Sequence, residues 1–176
     1  MKRLFSLILV CTAGASIAAA QSRVVQESVP GIRNFSHLET TVACAGAVTP
    51  DSVIRIKEMG FGSIINLRLA DEPGAEIEAE AAAARAAGIS FFHLPFSGGA
   101  PEPAVVDRFL EVIVAPGNEP AFIHCASGNR AAAMWMAKRA LVDGWTSERA
   151  LEEAAALGLS SEPLKTFVLG YIAEKR

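Results

Sequence analysis

One short segment concentrates chemistry-bearing residue types in this chain of 176 residues: His124-Cys125-Ala126-Ser127-Gly128-Asn129-Arg130. The run Ala121–Cys125 before it is nearly all apolar, as a central strand buried on both faces should be, and a helix pattern begins near Asn129. Cys125 therefore falls at the C-terminal end of a strand, where open α/β sheets place their ligands. The backbone N–H groups of Ala126, Ser127, Gly128, Asn129 and Arg130 can turn inward as an anion nest at a helix N-terminus. Gly128 supplies the freedom for a positive φ that such a nest requires. Arg130 supplies a planar fork that matches two oxygens of a tetrahedral oxyanion. The same donors favour a thiolate over a thiol, so one segment yields both a nucleophile and a cradle for the charge it creates. Buried structural cysteines at strand ends are common. The conjunction of apolar strand, cysteine, glycine three residues on, arginine five on and helix start argues for chemistry.

The elements that must position this segment read as an α/β domain: a small parallel sheet of about four to five strands with helices on both faces. Strands are expected at Val42–Val48, Ser63–Leu69, Ile89–Phe96 and Ala121–Cys125. Thr49, Pro50 and Asp51 suit the start of a helix that stops at Gly60. An Ala-rich helix spans Ala75–Ala87, with Glu76, Glu78 and Glu80 read as solvated charges near its positive end and Gly88 as its stop. Further helices are expected at Glu102–Val114, at Asn129–Val142, from Thr146 or Ser147 to near Gly158, and from Ser160 or Ser161 onward. In the last, Leu164, Phe167, Val168, Tyr171 and Ile172 form one apolar face. Residues 21–40 lack a clear period and read as a loose lead-in, and 41–176 as one domain.

The segment resembles the His-Cys-x-x-Gly-x-x-Arg signature of protein tyrosine and dual-specificity phosphatases, shortened by one residue. It is most similar to a group of small bacterial phosphatase-like proteins, related to the phosphatase-like domain of β-lactamase-hydrolase-like proteins, which carries the shorter C-x4-R loop. Further text agrees: A-V-T-P-D-S-V at 47–53, I-I-N-L-R at 64–68, H-L-P-F at 93–96 and W-M-A-K-R-A-L-V-D-G-W-T at 135–146, so that the likeness covers roughly residues 35–160. The resemblance implies the cysteine-phosphatase fold and hydrolysis of phosphate monoesters, with protein phosphotyrosine among the candidate substrates. It also implies a Cys125 phospho-enzyme intermediate, phosphoryl oxygens held by Arg130 and the amides of 126–130, and a loop ordered by His124. Two features depart from the family. Ala131 stands where a Ser or Thr usually follows the arginine, and the loop after the third strand, Ser97-Gly98-Gly99, lacks the Asp that serves many dual-specificity phosphatases as general acid. Asp71 and Glu72 are the best alternatives and Glu102 a weaker one, although Asp71 reads equally well as a plain turn residue in Asp71-Glu72-Pro73-Gly74.

Two other functions fit part of the pattern. Rhodanese-like sulfur transfer also uses a C-x4-R-type loop, but Asn66 stands where an Asp is expected and His124 favours the phosphatase side. A catalytically weak oxyanion-binding module would explain Ala131 and the missing acid. His37 and His93 have no evident partner, no spacing suggests a metal site, and no cofactor is expected. The formal charge of −3 argues against nucleic acid as a partner. At the N-terminus, Lys2 and Arg3, the apolar Leu4–Val10 and the small residues Ala18-Ala19-Ala20 read as a signal peptide over 1–20, cleaved before Gln21, which implies a periplasmic or secreted protein. Loss of those two cations would take the charge from −3 to −5. No later segment is long enough to cross a membrane. Of the cysteines, Cys11 would leave with the signal. Cys44 then remains beside Cys125, as core packing or as its redox partner.

Overall fold

A computed structural model of the chain describes residues 23–38 and 41–176; the expected signal peptide lies outside the described residues. Among the described residues six strands form one sheet: β1 (Val24–Val29), β2 (Ile32–Leu38), β3 (Val42–Ala45), β4 (Ser63–Asn66), β5 (Ser90–His93) and β6 (Ala121–His124). Their order is β1-β2-β3-β6-β4-β5. The four strands β3, β6, β4 and β5 are parallel. The hairpin β1–β2 adds two antiparallel strands at the β3 edge. Residues 24–38 are thus part of the sheet and not a loose lead-in. Neither strand alternates cleanly between buried and exposed residues, which hides the period of two on which a strand reading depends.

The central strands β3, β4 and β6 are buried at every residue, and their alternation divides the core in two. Val42, Cys44, Ile65, Ile123 and Cys125 face one side. There they pack on helices α3 (Pro103–Ile113), α4 (Asn129–Leu141), α5 (Ser147–Ala156) and α6 (Glu162–Lys175). Ala43, Ala45, Ile64 and Phe122 face the other, toward α1 (Val53–Glu58) and α2 (Ile77–Ala87). Ten of the thirteen residues of α4 are buried, Trp135 completely, so the helix that follows the Cys125 loop is a core element. Trp135 donates its Nε1–H to Glu153 on α5 at 2.7 Å. Proline in the first turn marks the starts of α3 and α6, and Thr146 caps α5 by accepting from the Arg149 amide.

The strands are shorter at their C-terminal ends than the sequence pattern suggests. Residues 46–48, 67–69 and 94–96, together with Cys125, leave the sheet and form the loops that meet at one edge. Among the described residues no helix is long and apolar enough to cross a membrane.

Candidate active site

Cys125 stands directly after β6, between the ends of β3 and β4, and is fully buried. Its amide donates to Ala45 O at 3.2 Å, extending the ladder by one bond before the loop turns away. The turn is made at Gly128, where φ is +100°, a conformation that a side chain at this position would strain. It brings the Gly128 N–H to 3.1 Å from the Cys125 sulfur. No side chain caps α4, which starts at Asn129, so the positive end of the helix faces the sulfur without a competing oxygen.

Neighbouring segments hold the loop from outside. Ala47 N donates to Ala126 O at 3.2 Å, and Ser127 bridges to Gly46. Asn34, on β2 with φ +47°, donates from Nδ2 to Ser127 O at 3.0 Å. Gly46 sits where space is tight, since a Cβ there would lie 3.0 Å from both Ala126 O and Arg33 O and these would have to give by a few tenths of an ångström. The Asn129 side chain faces away from the sulfur: its Oδ1 accepts from the amides of Ser160 and Ser161 at 2.7 and 2.8 Å, tying the start of α4 to the α5–α6 turn. Of the loop residues expected to bind an anion, Asn129 can therefore contribute only its amide.

Arg130 reaches back over the ends of β4 and β5. Nη1 donates to Leu67 O at 3.1 Å, Phe96 O at 2.8 Å and Glu72 Oε1 at 2.6 Å, while Nη2 donates to Glu72 Oε2 at 2.9 Å. Nε–H and the second Nη2 hydrogen remain, and they form a fork along the opposite edge of the guanidinium. Burial works against the Arg130 charge. The bonds to Glu72 and the nearby Cys125 sulfur more than offset that, and its pKa is raised. The Ser97-Gly98-Gly99 loop lies over the same side chain, with Gly98 against its aliphatic stem.

Glu72, weighed from the sequence as a general acid, is the arginine's clamp. Burial pushes its carboxyl up, but bonds from Arg130, the Leu69 amide and Arg68 pull it down further, to about 2. A carboxyl held there is ionised at any physiological pH and has no proton to give. Arg68 completes the clamp by donating to Glu72 at 3.3 Å and to the carbonyls of Gly74 and Pro73 at 2.7 and 2.6 Å. Sequence spacing gave no sign of this, because Glu72 and Arg130 lie 58 residues apart. Asp71 is exposed in the turn beside Glu72, and Glu102 is exposed at the start of α3.

A second carboxylate was misread from the sequence. Glu80 is not a solvated helix charge: it is 3% exposed, with Oε1 2.7 Å from His124 Nε2 and Oε2 accepting from Asn66 Nδ2 at 2.8 Å. The clue available was its spacing of four from Ala84, which puts both on one helix face. Cys44 is fully buried on the same sheet face as Cys125. Burial first, then the charge of Cys125, raises its thiol well above the ordinary value.

A mostly parallel sheet with a cysteine at the C-terminal end of a central strand and an arginine at the start of the following helix is the frame of the cysteine phosphatases. The chain belongs to the family described as Beta-lactamase hydrolase-like protein, phosphatase-like domain, which it matches over residues 34–142. It is 34% identical over 121 residues to a Beta-lactamase hydrolase-like protein of Xylella fastidiosa; that span is 66% of this chain and 26% of the relative, so the chain spans about a quarter of the length of that protein. Among solved structures, TpbA of P. aeruginosa superposes with a TM-score of 0.64 at 22% identity, over 88% of this chain and 91% of TpbA. The core catalytic domain of the PP-IP phosphatase SIW14 from S. cerevisiae gives 0.66 at 21% identity, over 82% and 88%. A cysteine-to-serine variant of TpbA solved in complex with pTyr gives 0.65 at 19% identity, over 89% and 98%. At these identities the structures speak to the fold.

Proposed function

We propose that the chain hydrolyses phosphate monoesters through a phosphoryl-cysteine at Cys125. The observation that supports this best is the Gly128 N–H, 3.1 Å from the Cys125 sulfur, with the charge of Arg130 nearby on a guanidinium fixed at one edge by Glu72. In the first step the Cys125 thiolate attacks phosphorus, a P–S bond forms, and the P–O bond to the leaving group breaks. Arg130 and the loop amides hold the equatorial oxygens as charge spreads over them. In the second step water attacks phosphorus, the P–S bond breaks, and inorganic phosphate leaves. Ala131 offers no hydroxyl to the departing thiolate, so that role falls to the Gly128 N–H.

Asp71 is the candidate for protonating the leaving oxygen, from an exposed turn whose neighbour Glu72 is fixed to the arginine. Good leaving groups need little protonation and poor ones a great deal. Asp71→Asn should therefore slow hydrolysis of an alkyl phosphate by about 10-fold or more while leaving a nitrophenyl phosphate nearly unchanged. An equal effect on both would return Asp71 to the turn. We place the enzyme outside the cytoplasm, on the strength of the signal-like residues 1–20.

The test of the function is a paired assay on the chain under reducing conditions, with an aryl phosphate in one arm and thiosulfate plus cyanide in the other. Phosphate release without thiocyanate is the expected result. Thiocyanate without phosphate would make the protein a sulfurtransferase, and neither product, with inorganic phosphate still bound, would make it an oxyanion-binding module.

A further inference from the structure

We propose that Glu80 is a positioning residue that sets Cys125 and Arg130 relative to one another from the opposite face of the sheet. This rests on the phosphatase reading only where activity is the readout. His124 and Asn66 end β6 and β4, are paired in register, and are completely buried. Both side chains meet Glu80, which rises between them from α2. One arm of the contact runs to the arginine. Asn66 Nδ2 donates to Glu80 Oε2 at 2.8 Å, and Asn66 Oδ1 accepts the Arg68 amide at 2.8 Å. That fixes the turn in which Arg68 and Glu72 clamp Arg130. The other arm runs to the nucleophile, since His124 immediately precedes Cys125 and its carbonyl accepts the Leu67 amide at 2.9 Å. Leu67 in turn offers its own carbonyl to Arg130 at 3.1 Å. One carboxylate thus touches the two strand ends from which the nucleophile and the clamp depart.

The local chemistry argues that this is more than packing. Residues 81–84 of α2 are all alanine, and a further alanine at 80 would suit the helix better while burying no charge. The carboxylate–imidazole contact is close at 2.7 Å but bent: neither Glu80 Oε1 nor His124 Nε2 has an in-line hydrogen bond, and His124 Nδ1 has no protein partner. Glu80 thus approaches the imidazole at ion-pair distance, while the Phe122 ring flanks it. A shift of about 1 Å in catalytic geometry costs on the order of 10²-fold in rate, so a fixed relation between these strand ends matters far more for turnover than for binding.

The experiment uses Glu80→Gln, which keeps the volume and the acceptor for Asn66, and Glu80→Ala, which removes both arms. Each is made alone and in an Arg130→Lys background, with thermal unfolding recorded for all. On an aryl phosphate, Glu80→Ala should lower kcat by about 10-fold or more with KM within about 3-fold of wild type, and Glu80→Gln should fall between. In the Arg130→Lys background the same changes should cost under about 2-fold, because the relation Glu80 maintains is already lost. Equal losses in both backgrounds would make Glu80 a packing residue and overturn the proposal. A readout without substrate is the ring N–H of His124 by NMR, one of three histidines. A slowly exchanging ring proton is expected in wild type because the imidazole is completely buried, and its resonance should move in Glu80→Ala and in the volume-preserving Glu80→Gln. If wild type shows that proton and its dependence on Glu80 but hydrolyses nothing, the phosphatase reading fails and the positioning role stands. If the proton ignores Glu80, the positioning role fails whatever the activity.

Discussion

Arg130 has one edge of its guanidinium bound to the protein, which leaves the Nε edge open to an anion, a division set by Glu72. Without the bidentate carboxylate, the side chain would keep only the carbonyls of Leu67 and Phe96 as acceptors and could rotate about its stem. Glu72→Gln should therefore lower kcat by about 10²-fold, measured on an aryl phosphate. The same residue predicts a pH signature. Its carboxyl is lowered from 4.5 to about 2 on folding, against the effect of burial, by Arg130, the Leu69 amide and Arg68. A depressed acid contributes stability that is present in full above its unfolded value and is lost as pH falls through the folded one. Urea unfolding at a series of pH values should show wild type losing stability between about 4.5 and 2 in excess of Glu72→Gln, and no such excess between 5 and 7. Parallel curves across the whole range would mean that the clamp is not formed in solution.

At the scale of elements, the loop depends on the strands beside it. β3 ends at Ala45, and Gly46 then passes so close to Ala126 O and Arg33 O that a Cβ would force them to give way. Gly46→Ala should cost about 1–3 kcal/mol of stability, as overpacking does, and should reduce activity more than a remote substitution of equal cost. Chemical denaturation beside kcat would check both. The central strands and the helices were readable from the sequence because each carries its own signal: apolar runs in β3, β4 and β6, a period near 3.6 in α3, and caps or prolines at helix starts. The hairpin was not, because β1 lies at the sheet edge with no buried residue, and a bulge between Glu27 and Val29 interrupts its register. The nucleophile loop was readable because its parts are contiguous. Glu72 and Glu80 were not, since each acquires its meaning only when the chain returns to it after 58 and 44 residues.

Across the whole molecule, the sheet separates the reacting groups from their supports. Cys125 faces the helices α3 to α6, and His124 and Asn66 face α2. Cys44 shares the Cys125 face on the neighbouring strand, and both thiols are free. Outside the cytoplasm, where we propose that the enzyme acts, the Cys125 sulfur would meet oxidants. Peroxide would convert Cys125 to a sulfenic acid with loss of hydroxide. The Cys44 sulfur would then displace water and form a disulfide. Since burial raises the Cys44 thiol, its thiolate is scarce and this closure should quicken with pH. Mild peroxide should thus inactivate the enzyme, dithiothreitol should restore it, and Cys44→Ala should make the loss irreversible. Recovery that does not depend on Cys44, measured with peptide mapping, would leave Cys44 a packing residue.

The central claim is that phosphorus is bonded to Cys125 during turnover. Intact mass spectrometry on samples denatured rapidly during hydrolysis of an aryl phosphate addresses it directly, because unfolding removes the site that hydrolyses the intermediate. Wild type should gain the mass of one phosphoryl group, mapped to the peptide that contains Cys125. Cys125→Ser should gain none and hydrolyse none while still binding inorganic phosphate, since the cradle is built from amides and Arg130. Turnover by Cys125→Ser within a few-fold of wild type, or a phosphoryl group mapped elsewhere, would contradict the account.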